Sequence, residues 1–187
     1  GMDCVDMGTV ADELEATKAM LHSASLKSDI VISAGGVSVG EEDYVREAVA
    51  VLGSIEFWRV AIKPGKPLAF GGVDNTPFIG LPGNPASVFV TFTVLARPFL
   101  LASQGLSVQH KPMLKAVSLF SREAESREVY LRGRLSCTDT GEGVEIYPNQ
   151  SSGVLSSVCW GDVLVRQNSG EHIQVDDLVD VLVYSAY

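Results

Sequence analysis

The sequence is short of positive charge. Fourteen Lys and Arg stand against 23 Asp and Glu, a formal net charge of -9 over 187 residues. A phosphate backbone demands a basic face, so this balance argues against a nucleic-acid partner. Any anionic ligand must be held by a local cluster of cations working against the global field. Cysteine is scarce: Cys4, Cys137 and Cys159 are odd in number, widely spaced and without a C-x-x-C pair. That argues against a disulfide or zinc framework and suits a reducing cytosol. His22, His110 and His172 share no ligand spacing and read as surface residues, and no Ser-His-Asp or Cys-His arrangement can be proposed. The longest apolar stretch, Val88–Ala96, is far short of a bilayer span and is closed by Arg97-Pro98. Gly1-Met2 lead into acidic residues, not into a basic and apolar leader. A cytoplasmic protein with no membrane association is the expectation.

What the chain does have is three glycine-rich junctions: Gly35-Gly36-Val37-Ser38-Val39-Gly40, Lys63-Pro64-Gly65-Lys66-Pro67 and Leu81-Pro82-Gly83-Asn84-Pro85. Each follows a short apolar run that reads as a strand, and the first and last lead into helical patterns. Glycine lets backbone amides approach a ligand, helix N-termini attract anions, and Lys63 and Lys66 supply matching charge. The stretch Asp29–Pro85 reads as a binding site for a phosphate-bearing small molecule.

In chain order, Cys4–Met7 is a candidate strand ended by Gly8. Asp12 with Glu15 has capping-box spacing, ahead of a helix with an inward stripe of Leu14, Thr17, Leu21 and Ala24. Asp29–Ser33 is the apolar strand type of parallel sheets. Val45, Ala48, Val49 and Leu52 have helical spacing, stopped by Gly53. Ile55–Ile62 is strand-like, and its period of two sets Arg59, Ala61 and Lys63 on one face if the strand runs that far. Leu68–Gly71 and Phe78–Leu81 pair as a hairpin through Asp74-Asn75. Asn84 as N-cap and Pro85 at the first helical position open a helix to about Ala102, apolar on nearly every side and suited to burial in the domain or a subunit interface.

The alternation predicts an α/β domain over 1–104, a partial doubly wound, mostly parallel sheet that binds ligands beyond the carboxyl ends of its strands. Beyond a hinge near Ser103–His110, Lys115–Phe120, Glu128–Thr138, Val144–Tyr147, Val163–Val165 and Leu178–Val183 look like strands separated by turn signals such as Asp139–Gly143. With no further helix evident, 105–187 is a small all-β domain.

Plainer readings compete at each candidate. Gly35, Gly36 and Gly40 also suit a tight turn, although Ser38 adds a hydroxyl donor. Glu41, Glu42 and Asp43 suit a first helical turn. Three carboxylates beside an anion site make sense only if a Mg²⁺ ion lies between carboxylate and phosphate. Asp12 reads locally as an N-cap, and Lys63 and Lys66 as loop lysines whose backbone is fixed by Pro and Gly.

The run from SDIVISAGGVSVGEEDYV through FWRVAIKPGKPLAFG to LPGNPASVFVTF resembles the molybdopterin molybdenumtransferase family, relatives of which include the gephyrin E domain. The likeness extends through Phe120–Arg134, Asn149–Gly153 and Asp177–Val183. It implies insertion of molybdate into adenylylated molybdopterin with Mg²⁺, releasing AMP and active molybdenum cofactor. It also implies a homodimer and dealings with other cofactor-biosynthesis proteins. It marks Asp12, Asp43, Lys63, Pro82 and Pro85 as functional. The combined expectation is Asp43, Lys63 and Arg59 as catalytic, and Asp12 and Asp43 as metal ligands. Gly35, Gly36, Ser38, Gly40, Lys66, Pro82, Gly83, Asn84, Pro85 and Ser87 are expected to bind substrate. Arg59 replaces a frequent lysine, Ala34 a usual Ser or Thr, and Cys159-Trp160-Gly161 a usual Ala-Asn-Gly. The two further domains of family members, and an earlier strand–helix unit with a Thr-Gly-Asp-Glu motif, are expected to be missing from this stretch. Two other readings stay open: a pterin adenylyltransferase-like protein and a non-catalytic peptide-binding scaffold module.

Overall fold

The computed structural model describes residues 2–37, 44–107, 113–138 and 141–184. Ser38, Gly40, Glu41, Glu42 and Asp43 of the expected site, His110 of the expected hinge and Asp139-Thr140 of a predicted turn lie outside the described residues. In chain order the elements are α1 (Leu14–Ser25), β1 (Val31–Ala34), α2 (Tyr44–Leu52), β2 (Gly53–Arg59), β3 (Ile62–Lys63), β4 (Pro67–Val73), β5 (Thr76–Leu81) and α3 (Pro85–Thr91). A π-helical turn, Phe92–Ala96, joins α3 to α4 (Arg97–Ser103). There follow β6 (Leu114–Ser118), β7 (Glu128–Thr138), β8 (Gly141–Ile146), α5 (Ser156–Trp160), β9 (Val163–Gln167) and β10 (Leu178–Val183). They form two compact units, one of Gly1–Val60 and Pro67–Gly83, the other of Ala61–Lys66 and Asn84–Tyr187.

The first unit holds a sheet in the order β1-β5-β4-β2. Only β1–β5 is parallel; β5–β4 and β4–β2 are antiparallel. The sheet is therefore mixed, not mostly parallel as expected. The cause is local: Asp74 and Asn75 adopt φ of 48° and 70°. That geometry closes the expected two-residue hairpin and forces its strands antiparallel. Two reversals leave β2 running in the same direction as β1 and β5, so Ala34, Arg59 and Leu81 finish at the same end of the sheet. Leu21, Ala24, Val31, Val37, Ala48, Val49, Val73 and Phe78 are buried together as the core, with Leu14, Val45 and Leu52 packed against them. The helical stripes expected in α1 and α2 are its source.

Three local expectations need correction. Cys4–Met7 forms no strand and pairs with no described strand, and only Met7 packs against the core. Helix α1 starts at Leu14 with Glu13 in the N-cap position and no side-chain cap. Thr17 Oγ1 donates to the Glu13 carbonyl, and Glu15 turns to Lys18 at 2.9 Å, so the Asp12–Glu15 box does not form. Strand β2 ends at Arg59, after register shifts at Ile55/Phe57 and Phe57/Arg59. Ile62-Lys63 belongs to the second unit and pairs with Glu128-Val129 within it, so Arg59 and Lys63 do not share a strand face.

In the second unit, α3, the π turn and α4 form one rod over Pro85–Ser103. Pro98 has no N–H to donate and would crowd the carbonyl four residues back. The helix widens ahead of it, with Arg97 N–H donating to Phe92 O, five residues back. This rod is 19 residues long and includes an 18-residue stretch of mean hydropathy 1.6, long and apolar enough to cross a membrane by those measures. The apolar stretch is thus not closed at Arg97-Pro98. A core helix meets the same measures. Its buried residues are small (Ala86, Ser87, Val90, Thr91, Thr93, Ala96), whereas Phe92 is exposed and α4 buries no residue.

The remaining strands close on themselves: β7–β8, β8–β6, β6–β10, β10–β9 and β9–β7 are all paired, a five-stranded barrel. Its interior is Ala116, Val129, Leu131, Val144, Val163, Val165, Ile173, Val179 and Val181. The five strands expected from sequence are all present within a few residues. The expectation of no helix fails at α5, whose five residues are too few for a helical period to register in sequence.

Candidate functional site

In the first unit, the parallel pairing of β1 and β5 brings two of the junctions together. Ala34 stands opposite Leu81, and Gly35 N–H donates to Leu81 O at 3.0 Å. A Cβ on Gly83 would lie 3.6 Å from Gly35 Cα, so Gly35, Gly36, Pro82 and Gly83 gather at the carboxyl ends of the strands. Gly36 has φ of 67°, and a Cβ there would come within 2.4 Å of Val45 Cγ2. Only glycine fits that turn against α2. Pro82 is buried and Gly83 exposed. Arg59 is exposed at the same end of the sheet, on the strand furthest from β1. Asp12 is exposed ahead of α1. Ser33, two residues before Gly35, has a buried hydroxyl with no partner among the described residues.

The second unit carries the other candidates. The Lys63–Pro64 peptide is cis, and Gly65 has φ of 110°. A Cβ on Gly65 would meet Thr91 Cγ2 at 2.3 Å and stand 3.7 Å from Ser87 O, so the lysine junction lies against α3. Lys66 is exposed. Lys63 reaches Glu125, and Glu125 is also gripped by Arg122 at 2.6 Å. The Lys63 ammonium, then Arg122, hold the Glu125 carboxyl below its ordinary value, against the opposing effect of burial. Asn84 takes the N-cap backbone position of α3 without capping it. Its Nδ2 donates instead to Ser152 Oγ at 3.0 Å, while Ala86 N–H donates to Ser152 O at 3.0 Å. Pro85 is exposed at the helix start, and Ser87 is buried.

One cation escaped the sequence reading. Arg132 on β7 is fully buried. Its Nε donates to Ser157 Oγ and its Nη2 to Ser151 O, both at 3.0 Å, while Nη1 has no partner among the described residues. Among the described residues no carboxylate pairs with it, and burial pushes its pKa down. Gln150 fixes the strand locally, accepting from Arg132 N and donating to Arg132 O. Its charge is held by neutral oxygens inside the unit, and no ligand can reach it in this structure. The available signal was an arginine inside the otherwise apolar run Val129–Gly133.

The described residues do not by themselves fit a metal: no three His, Cys, Asp or Glu among them gather into a candidate centre. Of the two expected ligands only Asp12 is described.

The description "Probable molybdopterin binding domain" matches residues 1–102. The chain belongs to this molybdopterin-binding family. Residues 115–184 match "MoeA C-terminal region (domain IV)", so the barrel is recognised as well. The chain is 45% identical over 111 residues to molybdopterin molybdenumtransferase of Haemophilus influenzae, covering 59% of this chain and 27% of the relative. It is 34% identical over 177 residues to the molybdenum cofactor synthesis protein cinnamon of Drosophila melanogaster, covering 89% and 28%. A solved molybdopterin biosynthesis moea protein from Pyrococcus horikosii superposes with a TM-score of 0.77 at 27% identity, over 95% of this chain and 42% of that one. The chain therefore spans less than a third of the length of these two curated relatives. Molybdenum cofactor biosynthesis is the setting those names share.

Proposed function

We propose that this segment binds molybdopterin and takes part in inserting molybdate into its adenylylated form with release of AMP, the chemistry of a molybdopterin molybdenumtransferase. The observation that carries the reading is the meeting of Gly35-Gly36 with Pro82-Gly83 at the carboxyl ends of the parallel pair β1–β5. That is where α/β sheets hold phosphate-bearing ligands. Gly35, Gly36, Ser38, Gly40, Pro82, Gly83, Asn84, Pro85 and Ser87 would hold the pterin and its phosphates. Lys63, Lys66 and Arg59 would supply the positive charge an oxyanion needs. Mg²⁺ is the proposed ion, because Asp12 and Asp43 offer oxygen ligands only, and its chemistry when bound is to neutralise phosphate charge. We take 1–104 as a molybdopterin-binding domain of the doubly wound type and 105–187 as its β-domain, within a cytoplasmic homodimer that deals with other cofactor-biosynthesis proteins.

The test is molybdate-dependent AMP release from adenylylated molybdopterin, measured on the chain and on a full-length member carrying this segment. Release in the longer protein, abolished at limiting Mg²⁺ by Asp43→Asn with the fold intact, is the expected result. Pterin binding without AMP release in either protein would leave a binding module and overturn the enzymatic reading.

A further inference from the structure

The Lys63 ammonium donates to both oxygens of Glu125, at 2.8 and 2.7 Å. That carboxylate is held from behind. Arg122 Nη2 donates to Glu125 Oε1 at 2.6 Å, and Arg122 Nε donates to Gln167 Oε1 at 3.1 Å. Gln167, on β9, is fully buried, with Nε2 donating to the carbonyls of Glu123 and Glu171 at 2.9 and 2.8 Å. A continuous line of side chains thus runs from the barrel wall to Lys63. Glu125 is fixed in place and does not swing in solvent. The Lys63 side chain is still 44% exposed, so an anion can reach it.

We propose that Glu125, fixed by Arg122 and Gln167, is a specificity-determining residue: a built-in counter-anion that every oxyanion approaching Lys63 must work against. The inference rests on reading Lys63 as an oxyanion-binding residue. Two effects of Glu125 oppose each other. Steadying a half-exposed lysine shifts an equilibrium by no more than about fivefold. A like charge held across the ammonium, roughly 5 Å from a bound oxyanion, weakens its binding on the order of tenfold or more at low salt. Repulsion wins. Lys63, Arg122 and Glu125 still sum to one net positive charge, so attraction survives. A small anion with no other contact is rejected, while a ligand anchored elsewhere as well is accepted.

The experiment titrates sodium molybdate and inorganic phosphate, at low ionic strength, into the chain and into E125Q, E125D, R122Q, K63A and K63A/E125Q. E125Q should bind both anions about tenfold more tightly, and the gain should shrink with added salt and vanish on the K63A background. E125D keeps the charge and should behave like the parent. R122Q leaves the whole carboxylate charge on Lys63 and should bind more weakly, an opposite sign that no general loosening of structure imitates. E125Q binding no more tightly than the parent, or gaining equally without Lys63, overturns the proposal. K63A binding molybdate as the parent does would instead remove the reading of Lys63 on which it rests.

Discussion

Gly65 shows how much one residue of a junction can carry. Its φ of 110° belongs to glycine, and a Cβ there would overlap Thr91 Cγ2 at 2.3 Å. Gly65→Ala is expected to cost about 1–3 kcal/mol, seen as a lower urea midpoint at unchanged slope. A midpoint equal to that of the parent would contradict this. The need for a fixed turn was legible in Lys63–Pro67, because Gly and Pro declare their backbone geometry in sequence. The partner of Lys63 was not legible: Glu125 lies 62 residues away, and nothing local to either residue announces the other. Arg132 was legible in principle. A charge inside Val129–Gly133 demands partners, but only the fold shows that Gln150, Ser151 and Ser157 provide them and leave Nη1 without a partner among the described residues.

Among the elements, those with long or strongly patterned signals were readable, including α1, α2, the hairpin β4–β5 and the eleven residues of β7. The direction of β2 was not, since an apolar run suits parallel or antiparallel neighbours and no tight turn joins β2 to β4, its antiparallel partner. The break between β2 and β3 was hidden for a related reason: Ile55–Ile62 is uniformly strand-like, and the register shifts that end it arise from pairing with β4. The barrel adds a feature no single strand reveals. Tyr130, Arg166, Asp180 and Lys115 stand opposite one another across four adjacent strands. Asp180 accepts from both Arg166 and Lys115 at 2.7 Å. Lys115, then Arg166, hold its carboxyl below the ordinary 3.8, against the opposing effect of burial. A carboxyl depressed in the folded state stabilises at pH above its unfolded value, and that contribution is lost as pH falls through the folded value. Asp180→Asn should therefore destabilise the protein by about 1–3 kcal/mol at pH 7, with the gap to the parent closing below about pH 4. Urea titrations at the two pH values check this. A gap that persists undiminished in acid would mean that packing, not charge, is what Asp180 supplies.

At the scale of the whole molecule, a net charge of -9 leaves local cations to hold an anionic ligand. Lys63 and Arg122 of the second unit are such cations, and Arg122 lies near enough to the buried Arg132 to oppose its charge. The long apolar rod over Pro85–Ser103 is the other whole-molecule feature. It buries its small residues and leaves Phe92 exposed, with Val94, Leu95, Phe99 and Leu100 half-buried. On the proposed homodimer, sedimentation should show a concentration-dependent two-fold association that Phe92→Ser weakens. A monomer at high concentration would count against it. Isothermal titration of molybdopterin into the folded chain measures whether this segment carries a molybdopterin-binding surface. Saturable binding at one pterin per chain is expected, and it should be lost in Gly36→Val, where a side chain would collide with Val45 beside the junction. Absence of binding by the folded parent, or unchanged binding by a folded Gly36→Val, would contradict it.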